Sequence, residues 1–366
     1  MSVDVLKKIN RRHAALISER SSFMAHWQEI SEHTTPRRGR FMGSDPNKGD
    51  KRHQKILNIT PSLAVRTMAS GMMAGLTSPA RPWFRLTTGI PGLSESAAVK
   101  EWMFAVERLM REIFSRSNLY NVLPVIYGEL GDFGTAAMIL EKDFDDVIRC
   151  VPYTIGEYAL ANDKRLRANT LYREFPMTVD QLVDRFGEEN VSPQTKNLYD
   201  NNNLDKWVEV VQAIEPNPDA KADRPEAKYK PYRSVYFEKS GNEGRFLSES
   251  GYDLFPVMAP RWDVTSTDVY GTSCPGMLAL GEIKGLMHAE KMRYRSLEQV
   301  SNPPMVGPPS LKGKRTSTLP GAITYVSEVN GQQFRKAYDI NPYFGEQKMT
   351  NPTKRDFSSS RLNKKD

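Results

Sequence analysis

The stretch PGMLALGEIKGLMHAEKMRYRSLEQVSN, residues 275–302, decides how the rest of the chain can be arranged. It begins with a proline, which suits the first turn of a helix, and it ends before Pro303, which disfavours the α conformation in the preceding residue. The sequence therefore predicts one helix here, on the order of 40 Å long at about 1.5 Å per residue. A helix of this length needs neighbours along its apolar side.

The predicted helix has one basic face and one apolar stripe. Spacings of four, three and four residues place the basic side chains on one face: Lys284, His288, Lys291 and Arg295. The apolar stripe consists of Leu280, Ile283, Leu286, Met287, Tyr294 and Leu297. Glu290 falls inside this stripe, where burial without a partner would be costly. The pattern is typical of a core helix with a solvated face, and it also tolerates a polyanion beside the basic side.

Composition limits the possible classes of protein. The chain has 366 residues, of which 39% are apolar and 10% aromatic, enough for a substantial core. Its two cysteines, Cys150 and Cys274, are too far apart to indicate a disulfide framework or a metal knuckle. No apolar run approaches the length of about 20 residues that spans a bilayer, so we expect no stable membrane insertion. The net charge of +7 mildly favours a polyanionic partner.

The N-terminal part of the chain is predicted to be mainly helical. Helical spacing covers residues 3–33, 61–79, 94–116 and 119–133. The loop 34–55 carries seven Lys or Arg residues against two Asp residues. Residues 80–89, ARPWFRLTTG, have the composition of a strand.

From about residue 137 to 270, apolar and polar residues alternate between turn signals, which predicts strands with inserted helices. One inserted helix is expected at 177–186. Asn330-Gly331 is the clearest hairpin signal, between two possible strands. The fold class expected from these patterns is α+β.

The residues indicate no catalytic constellation, and we expect a non-enzymatic protein without cofactors. Two alternatives remain open. Asp143, Asp145 and Asp146 could hold Mg²⁺ in a DNA-binding protein or nuclease, although a turn explains them more simply. The methionine-rich segment 68–76 could act on a membrane, although packing in a core or a subunit interface suits it better.

Several stretches, taken in order, resemble the head-to-tail connector (portal) family of short-tailed bacteriophages. The matching pieces are Trp27 and Ile30 with PRRGRF at 36–41, MASGMMAGLTSPARPWFRL at 68–86, GDFGTAAM at 131–138, FPVMAPRW at 255–262, YGTSCPGMLAL at 270–280 and SNPPMVGP at 301–308. Together they cover about residues 1–340.

This resemblance implies a ring, commonly of twelve subunits, at one vertex of the capsid. Double-stranded DNA would be pumped through the ring by terminase and would later leave through it into the host. It further implies contacts with capsid and scaffolding proteins and with tail adaptor proteins. The protein would be part of the virion and would assemble in the host cytoplasm.

The resemblance also implies a division of the chain. Residues 1–270 would form an α+β wing, 271–303 the stem helix, 304–342 the clip, and 343–366 a polar tail expected to be disordered. The basic face of the stem helix would line the DNA channel without reading bases. Clip docking would involve Lys312, Lys314 and Arg315.

The C-terminal region departs from the family pattern. Portal proteins return from the clip through a second stem helix, whereas NPYFGEQKMTNPTKRDFSSSRLNKKD, residues 341–366, has no amphipathic period. The sequence therefore predicts a C-terminally truncated portal, whose isolated chain would form mixed oligomers because its apolar stripe is only partly covered.

Overall fold

A computed structural model describes residues 2–41, 52–221, 223–240, 245–302, 305–306 and 335–336. The chain divides into two compact units, Met1–Ile283 and Lys284–Asp366, and the division falls inside the long helix that the sequence predicts.

The first unit opens with helix α1, Ser2–His33, which confirms the helix expected at 3–33. Its apolar residues recur along one face, and Ile9, Trp27 and Ile30 are buried. Trp27 and Ile30 join the largest hydrophobic cluster, which also contains Phe133 and Tyr270. Three of the stretches that carry the family resemblance therefore meet in one core.

Four helices follow: α2, Thr60–Leu76; α3, Pro91–Glu95; α4, Ala97–Arg116; and α5, Leu119–Phe133. Helix α5 packs against α2 in a second hydrophobic cluster, to which Ala69 and Leu123 belong. If Gly131 had a Cβ, this atom would lie 1.8 Å from the methyl carbon of Met68. Gly131 of α5 therefore leaves room for the Met68 side chain of α2.

The prediction of a strand at residues 80–89 is wrong. Residues 82–88 adopt no regular structure, because no strand in the described part of the chain pairs with them. Their aromatic pair instead packs on a helix: Trp83 and Phe84 lie 6.1 and 5.8 Å from the ring of Phe114 in α4. The indole N–H of Trp83 donates to the hydroxyl of Tyr120. Strand-like composition here reflects aromatic packing.

In the described part of the chain, one antiparallel sheet has the strand order β2-β1-β8. Its strands are β1, Ala137–Asp143; β2, Val147–Tyr153; and β8, Val257–Met258. Ile139 pairs with both Val151 and Val257. The inward side chains of this sheet join the two clusters already described.

A second antiparallel sheet has the order β3-β4-β5-β6-β7. Its strands are Tyr158–Asn162, Ala168–Thr178, Trp207–Pro216, Tyr232–Glu238 and Ser248–Tyr252. Between β4 and β5 lie helices α6, Val179–Phe186, and α7, Pro193–Asp200. Helix α6 begins with a capping box between Thr178 and Gln181, within the helix expected at 177–186.

The long helix is α8, Pro275–Ser301, and it begins at the proline from which the sequence predicts it. Two short strands, β9 (Met305–Val306) and β10 (Arg335–Lys336), pair antiparallel. The hairpin signal at Asn330-Gly331 lies outside the described residues. Helices and antiparallel sheets together confirm the α+β class.

Candidate functional site

The first turn of α8 is held against the end of α5 by glycines. A Cβ on Gly276 would lie 2.4 Å from the carbonyl oxygen of Asp132, and a Cβ on Gly134 would lie 2.5 Å from that of Gly271. Gly134 also ends α5 in the left-handed region, at φ +74°. The thiol of Cys274 donates to the Asp132 carbonyl at 3.2 Å. The motifs GDFG and YGTSCPG are therefore contact surfaces for each other.

Two buried carboxyl groups on α5 tie the loop after α1 to this junction. Asp132 accepts hydrogen bonds from the hydroxyls of Thr35 at 2.7 Å and Thr34 at 3.3 Å. Glu129 accepts from the Thr154 hydroxyl at 2.7 Å and from the backbone N–H of Ile155 at 3.2 Å. Burial raises the pKa of Asp132 to about 6, and these hydroxyl bonds oppose the rise only in part.

The pKa of Glu129 is raised further, to about 7, mainly by burial. The Thr154 hydroxyl and the guanidinium of Arg38, 3.7 Å away, partly oppose this rise. Both carboxyl groups lie outside the sequence predictions. The signal that could have found them is two acidic residues three apart in the otherwise apolar α5.

The basic face of α8 is exposed to solvent. Lys284, His288, Lys291 and Arg295 all lie on this face, and all four side chains are exposed. The helix therefore presents the positive charges of Lys284, Lys291 and Arg295 along about three turns. Such a row can bind a polyanion through charge alone, since no base-reading arrangement is required for phosphate contacts.

The apolar stripe of α8 changes character along the helix. Leu280 is 7% exposed and belongs to the largest hydrophobic cluster, Met287 is buried, and Ile283 and Leu286 are half-buried. Further along, Tyr294 and Leu297 are 56% and 46% exposed.

Glu290 lies in the stripe, as the sequence predicts, and it is buried. Its carboxylate lies 3.7 Å from the guanidinium of Arg293 one turn on, so a cation partly offsets the cost of its burial.

Two other sets of residues are singled out from the sequence: the acidic group at 143–146, and the clip and tail residues. Asp143 is the last residue of β1, and Asp145 and Asp146 lie in the β1–β2 turn, where the Asp143 carboxylate accepts from the backbone N–H of Asp145. Within the described residues, no group of three or more His, Cys, Asp or Glu side chains is arranged to hold a metal ion. The clip residues Lys312, Lys314 and Arg315 and the tail 343–366 lie outside the described residues.

The methionines of α2 face inward. Met72 and Met73 pack against the cluster that contains α5, and Met68 contacts Gly131. Their position corresponds to core packing, the interpretation that the sequence favoured over a membrane surface. None of the helices in the described part of the chain combines the length and apolarity needed to cross a bilayer.

Comparison with known proteins assigns the chain to a family. Residues 6–355 match the family described as "Bacteriophage head to tail connecting protein". The chain is 47% identical over 337 residues to the "Portal protein" of Salmonella phage epsilon15, covering 92% of this chain and 61% of the relative. It is equally 47% identical over 337 residues to the "Probable portal protein" of Bordetella phage BPP-1, covering 92% and 60%.

The chain therefore spans about three fifths of the length of these curated relatives. The resemblance found from the ordered motifs is confirmed by the match over nearly the whole chain. This chain belongs to the bacteriophage head to tail connecting protein family.

Proposed function

We propose that this chain is a structural subunit of a phage portal, a ring at one capsid vertex through which double-stranded DNA is packaged and ejected. Family membership and two relatives named as portal proteins support this role. The role is mechanical rather than catalytic. It places the protein in the virion, after assembly in the host cytoplasm.

The observation that carries the proposal is the two-sided character of α8 beyond Ile283. A row of exposed basic side chains runs beside apolar residues that the described part of the chain leaves exposed, Tyr294 and Leu297 among them. Copies of this helix packed around an axis would cover the apolar residues and turn a basic face toward DNA. Contacts to phosphate are sequence-independent, as a conduit for any genome requires.

The remaining assignments follow from the same proposal. Residues 1–270 act as the wing, 271–303 as the stem and 304–342 as the clip, with Lys312, Lys314 and Arg315 at the docking surface. The partners are other copies of the chain, twelve in a complete ring, together with terminase, tail adaptors, and capsid and scaffolding proteins.

Electron microscopy of the purified full chain tests the ring directly. We expect rings with a central opening, and native mass spectrometry should give a mixture of subunit numbers, because exposed apolar residues of α8 such as Tyr294 and Leu297 allow heterogeneous association. A chain that remains monomeric at micromolar concentration, with or without duplex DNA, would contradict the proposal.

The two faces of α8 can then be separated by mutation. Leu297→Asp should abolish rings without unfolding the chain, because Leu297 is exposed in the single chain and would be desolvated only in the assembly. Lys291→Glu with Arg295→Glu should leave rings intact, weaken their binding to duplex DNA and reduce its salt dependence.

The matched control for the charge reversal is Lys164→Glu with Arg165→Glu in the β3–β4 turn, where both side chains are also exposed. It changes the net charge of the chain equally. If the control weakens DNA binding as much as the α8 reversal does, net charge explains the effect and the basic face of α8 is not the DNA surface.

A further inference from the structure

The outward face of α2 is open, basic at its edges and lined by small side chains. Thr67, Ser70 and Ala74 are exposed along it, and Leu63 lies exposed at its N-terminal end. A Cβ placed on Gly71 would meet no atom within 4 Å. The face is therefore a shallow surface onto which a bulky side chain could pack.

Positive charge borders this face. Arg66 is exposed beside it. Arg81 donates from one guanidinium nitrogen to the carbonyls of Ala74 and Gly75, at 3.1 and 2.9 Å, so its charge is held at the C-terminal end of α2. Residues 52–94 contain five Lys or Arg residues and no Asp or Glu. An occupant of this surface should therefore carry apolar and negative groups together.

The β1–β2 turn has that combination of groups. Phe144 at its tip is fully exposed, at 108%. Asp145 and Asp146 beside it are exposed, and the bond from the backbone N–H of Asp145 to the Asp143 carboxylate keeps the turn in shape. The turn therefore presents an exposed aromatic ring beside exposed carboxylates, the apolar and negative groups that the face of α2 would take.

Both surfaces are fixed by the same core. Ala69 of α2 and Met138 and Cys150 of β1 and β2 belong to one hydrophobic cluster built around α5. Because Phe144 is fully exposed, it does not pack on the α2 of its own chain. The partner that presents both complementary surfaces is a second copy.

We propose that the β1–β2 turn of one copy docks onto the outward face of α2 in a second copy. Phe144 packs over Ser70 and Ala74, and Asp145 and Asp146 lie near Arg66 and Arg81. The contact rests on the proposed ring, for which it supplies one interface. It joins two different surfaces of the chain and is therefore heterologous, the kind of contact that closes rings.

A single turn covers only part of the roughly 800 Å² per partner that a stable interface buries. The turn therefore determines which surfaces of two copies meet, and other parts of the subunit supply the remaining buried area. Removing the turn should reduce the share of copies that meet through these two surfaces more than it reduces the total amount of oligomer.

Thiol cross-linking of the full chain tests this contact. One chain carries Asp146→Cys and another carries Ser70→Cys, both at exposed positions, while Cys150 and Cys274 are buried. With a short bifunctional thiol reagent, the mixture should give cross-linked dimers in at least tenfold greater yield than either chain alone. A chain with both substitutions should give a ladder of oligomers.

Adding Phe144→Ala to the Asp146→Cys chain should lower the yield at least tenfold, with an unchanged unfolding curve. Ser115→Cys on α4 is the matched control for Ser70→Cys, since it is also an exposed helical serine, and it should not cross-link to Asp146→Cys.

Charge can be tested separately from shape. Asp145→Arg in the Asp146→Cys chain should lower cross-linking at low salt, and Arg66→Glu in the Ser70→Cys partner should restore it. If the yield does not respond to either change, charge complementarity fails and the inference is overturned.

The remaining outcomes distinguish this contact from the ring itself. Closed rings without a cross-link between positions 146 and 70 would overturn the inference and leave the portal proposal standing. Self-cross-linking of the Asp146→Cys chain would show a symmetric contact and would also overturn it. A chain that forms no oligomer at all would overturn both.

Discussion

Helices α4 and α5 follow each other in the chain but are covered very differently. All residues of both helices are described, and eleven of the fifteen in α5 are buried, whereas Glu107 is the one buried residue of twenty in α4. Helix α4 nevertheless exposes large apolar side chains: Trp102 is 64% exposed, and Phe104 and Leu109 are exposed as well.

The difference shows where each helix finds its partners. Helix α5 is enclosed by its own chain, since α2 and strands β1 and β2 share its hydrophobic cluster. Helix α4 has a half-buried stripe that includes Val106 and Met110, and a second stripe that includes Trp102 and Leu109 remains exposed. The chain itself buries the apolar residues of α5. The exposed stripe of α4, by contrast, is an apolar surface that the described part of the chain does not cover.

The largest expected effect of a single substitution lies in α5. Phe133→Ala removes a fully buried ring from the main cluster and should lower the free energy of unfolding by about 3–5 kcal/mol. Urea denaturation followed by circular dichroism measures this loss. A loss below about 1 kcal/mol would mean that α5 is less enclosed in solution than in the structure.

An intermediate effect should come from the buried carboxyl of Glu129. Its pKa of about 7 in the folded state lies above the ordinary value near 4.5, so the folded state binds the proton more tightly. Its contribution to stability is therefore complete below about pH 4.5 and is lost as the pH rises through 7. The Glu129→Gln variant lacks this titration.

Relative to the wild type, Glu129→Gln should gain roughly 1–3 kcal/mol in unfolding free energy between pH 5 and pH 8. The amide can still accept from Ile155 N–H, and its NH₂ group can donate to the Thr154 hydroxyl. The measurement is urea unfolding of both proteins at the two pH values. A difference that does not change with pH would show that Glu129 stays ionised throughout.

The smallest effect should come from α4. Trp102→Ala removes an exposed ring, so the unfolding free energy of the dilute single chain should change by no more than about 0.5 kcal/mol. Phe133→Ala is its matched comparison, since both remove one aromatic ring from a helix. A loss comparable to that of Phe133→Ala would show that α4 is covered in solution.

Sequence patterns locate most helices and strands because the spacing of apolar residues depends on the type of secondary structure, whichever elements pack against it. The bounds of α5 and the start of α8 agree with expectation, and the strands expected between residues 137 and 270 are present there as β1 through β8. The strand prediction at 80–89 failed because aromatic residues that favour strands also occur in loops that pack on helices.

The sequence could not show which apolar faces the chain covers itself. Met72 of α2 and Trp102 of α4 are both apolar residues on helices, and only the tertiary contacts place one inward and the other outward. The same limit applies to α8, where Leu280 and Leu297 lie on one predicted stripe and differ in exposure.

The glycine contact between Gly276 and Asp132 has a mechanical consequence. Where side chains separate two helices, rotamers can adjust and absorb a small displacement, but here backbone meets backbone with no rotatable group between them. A displacement of the first turn of α8 should therefore move the end of α5 as well. The junction should be rigid, and such a displacement should reach the hydrophobic cluster around Phe133 with little loss.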